Sequence, residues 1–168
     1  MPQSRTKIGR KGFYYCSGFT GELVIPDSVT AIDESAFQGC KGLTSLKLPN
    51  GLTTIGNNAF YSCSGLRGTL AIPETVQSLG DGAFRLTSFD LITFYGSEMD
   101  CGSKVFPAYT KVESSPDFKG NFFCDLTISK KRNPPSSSPN LKLIIPLVIV
   151  GIIVVAIIAY VINYYVKK

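Results

Sequence analysis

Three short segments share one alternation of apolar and polar positions, and each is followed by proline. They read LVI, LKL and LAI, at positions 23–25, 46–48 and 70–72. In an extended strand the first and third residues point to one side and the middle residue to the other. We therefore predict three short strands that bury Leu23, Ile25, Leu46, Leu48, Leu70 and Ile72. The middle residues Val24, Lys47 and Ala71 should face solvent.

A second apolar pattern follows each proline. The pairs Val29/Ile32, Leu52/Ile55 and Val76/Leu79 fit a further extended piece that points inward. An alanine and a phenylalanine come next, and we expect them to begin a single helical or 3₁₀ turn that drives the ring into the core. The rings concerned are Phe37, Phe60 and Phe84.

These patterns recur as one repeat. Phe13, Phe37, Phe60 and Phe84 are 24, 23 and 24 residues apart, and a cysteine follows each of the first three by three residues. One such unit cannot bury its own apolar side, but stacked units can, at about 4.8 Å per coil with parallel strand pairing. The sequence therefore predicts a solenoid.

The stretches IPDSVTAIDESAFQGCKGLTSLKLP and NGLTTIGNNAFYSCSGL resemble the BspA-like class of leucine-rich repeats, over about Ile8 to Phe94. The resemblance implies an α/β right-handed solenoid with short parallel strands and short helical or 3₁₀ turns. It also implies a non-catalytic cell-surface or secreted protein of the kind proposed as adhesins of anaerobic bacteria and parasitic protists.

The pattern also suggests boundaries along the chain. We expect an unstructured start at 1–7, about 3.5 coils at 8–91, and a C-terminal cap at 92–129, because Thr87 and Tyr95 break the repeat. The chain opens within a repeat and has no apolar leader stretch. We therefore expect a C-terminal piece of a longer array, the alternative being a short protein inserted by its C-terminal anchor.

The C-terminal part predicts a membrane anchor. A Pro-, Ser- and Lys-rich linker at 130–142 precedes about twenty apolar residues at 143–162, enough for one transmembrane helix. A short basic tail follows at 163–168. Basic residues around the span would place the repeats in the cytoplasm. The resemblance places them outside, and we favour that orientation because long translocated domains follow the charge rule weakly.

Charge and composition exclude several functions. The net charge of +5 comes from the ends, because positions 12–129 hold seven basic and twelve acidic residues, a net charge of −5. A nucleic-acid partner, which needs a basic face, is therefore not expected. The chain has no histidine and no glycine-rich phosphate loop, so we predict no enzyme activity, no catalytic residue, no metal site and no cofactor.

The five cysteines divide into two groups. Cys16, Cys40 and Cys63 occupy one repeat position and stack in neighbouring coils. A metal ladder or disulfides would fit, but a buried small residue at a tight corner is the favoured interpretation. Cys101 and Cys124 lie outside the repeat phase. In an oxidising compartment a disulfide between them would close a loop of about two dozen residues and add about 3 kcal/mol of stability.

The candidate binding residues are the outward positions of the strands. They are Glu22, Val24, Ser45, Lys47, Thr69, Ala71, Leu91 and Thr93. The alternative is that they are only solvated. The sequence thus predicts a membrane-anchored surface protein, with its repeats extracellular, that binds protein or glycan ligands on host cells, matrix or other microbes. The alternative is a truncated remnant without independent binding, and a receptor that signals through its tail ranks last. The oligomeric state stays open.

Overall fold

The computed structural model describes residues 6–118 and 122–131, and short strands run through this part of the chain. These residues belong to one compact unit, 1–134. The strands are β1 Thr6–Ile8, β2 Gly21–Val24, β3 Val29–Ile32, β4 Leu43–Lys47, β5 Thr54–Ile55, β6 Arg67–Ile72, β7 Ser78–Leu79, β8 Ser88–Phe94, β9 Asp100–Cys101, β10 Lys111–Ser114, β11 Phe122–Phe123 and β12 Leu126–Lys131.

Alternate strands join different sheets, which is the mark of a solenoid. Strands β1, β3, β5, β7 and β9 pair in that order, all parallel, and form what we call the middle ladder. Strands β6, β8, β10 and β12 form a second parallel sheet, and β2 pairs with β4 in a third. Pro26, Pro49 and Pro73 follow β2, β4 and β6, and the chain turns there toward the middle ladder.

The apolar positions of the strands line one continuous core. Ile25, Leu46, Leu48, Leu70 and Ile72 are buried, together with the inward pairs of the middle ladder. Leu23 is half-buried and packs against the same core. The alternation of LVI, LKL and LAI thus sets which side chains enter the core.

The predicted helical turn does not form, and the described residues contain no helix. Backbone N–H groups of Ser35, Phe37 and Gly39 donate to carbonyls of the next coil at 2.8–2.9 Å, while the residues between them donate three positions back. A helix needs every N–H to bond within its own coil, so these alternating donors exclude it. We call this hydrogen-bond row the turn ladder. The expected α/β class is therefore wrong for the described part of the chain, which is an all-β solenoid.

A column of phenylalanine rings lies beside the turn ladder. Phe13, Phe37, Phe60, Phe84 and Phe106 stack with centroids 5.0, 5.2, 5.2 and 5.3 Å apart and with planes within 12° of parallel. The fifth ring extends the repeat beyond residue 91, where the sequence places the start of a cap. Ile92 and Phe94 take the strand positions there, and Val105 and Phe106 take the positions of the alanine and the phenylalanine.

The two ends of the described fold differ. At the C-terminal end, β11 pairs antiparallel with β12, Phe123 packs on Phe94, and a disulfide joins Cys101 to Cys124. At the N-terminal end, Phe13 and Phe19 are each 36% exposed. Residues 6 and 7 are in β1, paired with β3, so the expected unstructured start at 1–7 is wrong at these positions.

The predicted membrane span falls outside the described residues. Positions 143–162 and the tail at 163–168 are not among them, and the linker at 130–142 is described only to residue 131. Within the part that is described, no helix is long and apolar enough to cross a bilayer.

Candidate binding face

The predicted binding residues form two rows along the outer strands. Register pairs Glu22 with Ser45 and Thr69 with Leu91 in the first row, and the chain adds Lys111 to it. The second row holds Val24, Lys47, Ala71 and Thr93, followed by Glu113. Residues paired in register on parallel strands point to the same side. We call this outward side of β2, β4, β6, β8, β10 and β12 the strand face.

Most of the predicted residues are accessible. Glu22, Val24, Lys47, Thr69 and Ala71 are exposed, and Ser45, Leu91 and Thr93 are half-buried. Strands β4 and β6 are neighbours but do not pair. The strand face therefore consists of a two-strand patch and a larger patch that runs from β6 to β12.

Sequence reasoning missed Lys111 and Glu113. They follow the expected boundary at residue 91, so the segment KVES was assigned to a cap. The available signal was Val112 between two charged residues, and in the structure Val112 and Ser114 are buried while Lys111 is exposed. With these two residues the rows carry one charge of each sign at either end, on β2 and β4 and again on β10, while their positions on β6 and β8 are uncharged.

The repeat-position cysteines lie behind the phenylalanine column. The Cys40 thiol donates to the carbonyl of Phe13, and the Cys63 thiol donates to that of Phe37, both at 3.0 Å. Burial raises the pKa of Cys40, and it raises the pKa of Cys63 to about 12. Because the thiolate is the nucleophile and the metal ligand, these thiols are inert near neutral pH. The described residues include no cluster of three or more His, Cys, Asp or Glu side chains arranged for a metal.

Asp81 has a lowered pKa, and two hydrogen bonds from Ser103 explain the shift. The backbone N–H and hydroxyl of Ser103 donate to Asp81, at 2.6 and 3.1 Å, and these bonds lower the pKa of Asp81. Ser103 lies in the next coil, so the carboxylate joins two coils. A general acid would need the opposite shift, so Asp81 is a poor candidate for acid catalysis.

The comparison with family models agrees with the repeat seen in the structure. Residues 2–121 match the BspA-type leucine-rich repeat region, in six copies. The chain belongs to this family. BspA-type repeats of this kind generally bind other proteins and act as non-catalytic scaffolds.

Comparison with solved structures finds the crystal structure of a leucine-rich repeat protein of T. pallidum. The two sequences are 20% identical. The aligned region covers 64% of this chain and 67% of the T. pallidum chain, with a TM-score of 0.40. No curated protein matches the chain.

The disulfide occupies a position of the BspA-type repeat itself. Cys101 pairs in register with Leu79, which itself pairs with Ile55. The earlier coils bury Ile55 and Leu79 at this position, whereas the last coil places Cys101 there and links it covalently to Cys124. The structure joins the two cysteines that sequence analysis put forward.

Thiol counting tests this arrangement of cysteines in the BspA-type chain. In the folded, non-reduced full-length chain we expect one thiol to react readily with an aromatic disulfide reagent, because Cys16 is half-buried while Cys40 and Cys63 are buried. Denaturation without reductant should expose three thiols, and added reductant should expose five. Cys16→Ser is the control and should leave no readily reacting thiol in the folded chain. Five reactive thiols without reductant would contradict the disulfide.

The raised pKa of Cys63 also predicts how stability depends on pH. The folded state holds this proton more tightly than the unfolded chain, whose thiol has the ordinary pKa of 9.0. The free energy of unfolding should therefore keep this contribution below pH 9 and lose it as the pH rises toward 12. Denaturant titrations at pH 8 and 10.5 would measure how much the free energy of unfolding falls between these two pH values. The fall should be smaller in Cys63→Ala.

Proposed function

We propose that this chain is a membrane-anchored surface protein that uses its strand face to bind a protein partner without catalysis, and that the binding serves adhesion to host cells, matrix or other microbes. The observation that carries the proposal is the alignment of outward side chains in two rows. Strand pairing fixes their spacing, so a partner meets a preformed surface.

The size of the strand face suggests how it acts. Six strands at about 4.8 Å span roughly 24 Å. A standard interface buries about 800 Å² on each partner, more than a face of this length readily offers. A single chain should therefore bind weakly. Many copies on one membrane can hold a cell through multivalency, and the apolar run at 143–162 supports such an anchor.

Charge reversal on the strand face tests the proposal in cells. Lys47→Glu should lower the adhesion of displaying cells to a host-cell monolayer several-fold, because Lys47 is exposed in the second row. The full chain would carry an epitope tag at positions 136–138, and attached cells would be counted after washing.

Two controls make the outcome decisive. Lys41→Glu reverses the charge of another exposed lysine, which lies in a turn off the strand face, and should leave adhesion unchanged. Staining of intact and permeabilised cells measures display, which should be the same for all three chains. Staining only after permeabilisation, or equal adhesion of the Lys47 and Lys41 variants, would overturn the proposal.

A further inference from the structure

A cavity of about 700 Å³ opens where the first row of the strand face ends, at Lys111. Its walls come from the turn after Phe84, from the turn that contains Phe106, and from the segment between Cys124 and Ser129. A volume of this size is typical of small-molecule sites. The disulfide fixes one wall, because Cys124 is linked to β9.

The lining of the cavity is positively charged. Among the described residues of the lining, Arg85, Lys104 and Lys111 contribute three cations and Asp125 contributes one carboxylate, a net charge of +2. None of the three cations forms an ion pair with another residue in the described ranges. They are therefore available to an anion, and arginine in particular can hold a carboxylate or a sulfate with two hydrogen bonds.

An aromatic ring stands at the cavity in a fixed position. Tyr109 is 70% exposed, yet its hydroxyl donates to the carbonyl of Thr87 at 3.0 Å. This bond fixes the ring while its faces stay open. The negative face of an aromatic ring attracts the weakly positive C–H groups of a sugar. Beside it, Leu86 is 52% exposed and adds apolar surface.

The strands around the cavity argue against a peptide ligand. Extended peptides often bind by adding a strand to a free sheet edge. Here β10 pairs with both β8 and β12, and Leu126 and Thr127 of β12, which line the cavity, pair with β11, so these segments offer no free edge. Cations and a fixed aromatic ring without a strand edge fit a sugar better.

From these observations we infer that the cavity binds an acidic oligosaccharide. Its carboxylate or sulfate lies among Arg85, Lys104 and Lys111, and one of its sugar rings stacks on Tyr109. This site adjoins the strand face at Lys111, but Arg85, Lys104 and Tyr109 lie in turns outside that face. Binding at this site requires neither display on a membrane nor adhesion, so the inference can be tested independently of the proposed function.

Direct binding to the purified full-length chain in detergent tests the inference. The probes are tetrasaccharides of hyaluronan, which carries carboxylates, of heparin, which also carries sulfates, and of chitin, which is neutral. Hexaglutamate represents an acidic peptide. Calorimetric titration should show at least one acidic tetrasaccharide binding about tenfold or more tightly than the neutral one, and weaker binding at higher salt.

Variants locate the site. Arg85→Glu together with Lys111→Glu should abolish binding of the acidic tetrasaccharide, and Tyr109→Ala should weaken it roughly tenfold. Lys41→Glu and Lys47→Glu, which lie outside the cavity, should leave it unchanged. All five positions are exposed, and unchanged thermal unfolding would show that the variants fold.

Either acidic tetrasaccharide supports the inference, and the one that binds identifies the acid group. Three results would overturn it. They are equal binding of the neutral and acidic sugars, tighter binding of hexaglutamate than of either acidic sugar, and binding that survives the Arg85 and Lys111 substitutions.

Discussion

Replacing Phe60 by alanine should lower the free energy of unfolding by about 4 kcal/mol. The side chain is fully buried at the centre of the phenylalanine column. Its ring stacks on Phe37 and on Phe84, with both centroids 5.2 Å away and the planes within 5° of parallel. Alanine would remove both ring contacts and leave a cavity that the rigid ladders on either side cannot close. Denaturant unfolding of the full chain in detergent, followed by circular dichroism, measures the loss.

Phe13, at the N-terminal end of the phenylalanine column, provides the control. Phe13 is 36% exposed and stacks on a single ring of the column, that of Phe37. Phe13→Ala should therefore cost less than half as much, because the ring is already partly hydrated and little cavity remains. Equal losses at positions 13 and 60 would show that the column does not act as one packed core.

Replacing Gly80 by alanine should cost about 3 kcal/mol or more, from a single added methyl group. A Cβ atom there would lie 2.6 Å from the carbonyl carbon of Gly56 and closer still to the amide nitrogen of Asn57. Both are backbone atoms of the previous coil, held by the middle and turn ladders. The two coils would have to separate, and the hydrogen bonds on both sides of the glycine would weaken. Thermal and denaturant unfolding would show the loss.

The repeat supplies a matched control for this substitution. Gly9 follows Ile8 as Gly80 follows Leu79, but at the open end a Cβ on Gly9 would meet nothing within 4 Å. Gly9→Ala should therefore leave stability nearly unchanged. If the two alanine variants unfold at the same midpoint, close contact between coil backbones is not what requires glycine at position 80.

The sequence is sufficient to predict the strand pattern because each strand obeys a local rule. Alternation sets which of Leu46, Lys47 and Leu48 enters the core, and the spacing of phenylalanines sets the coil length. Burial of Phe37, Phe60 and Phe84 follows from that spacing together with the need of each coil for a neighbour. The outward rows follow as well, since residues on either side of a buried position point away from the core.

The turns and the end of the array could not be predicted in this way. The segment around Ser35 to Gly39 has a local pattern that suits a helical turn, but every second N–H group bonds to the next coil. Whether an N–H group bonds within its own coil or to the next coil depends on the distance between coils, and the sequence of a single repeat does not specify that distance. Phe106 was missed because Tyr95 replaces the proline that precedes earlier phenylalanines by eleven residues, and Tyr109 replaces the cysteine that follows them by three. The cavity was missed because its cations come from separate turns, which only the fold brings together.

The disulfide also determines how the solenoid carries mechanical load. Tension applied beyond Lys131 acts first on β12 and peels it from β10 one hydrogen bond at a time. In the oxidised chain peeling stops at Cys124, and the force passes directly to Cys101 in β9, which is paired with β7. The next coil is held by its outer strand, the middle ladder and the turn ladder together, so these bonds must break in parallel. A load on the C-terminal end would therefore extend residues 125–131 and then meet the resistance of the whole stack.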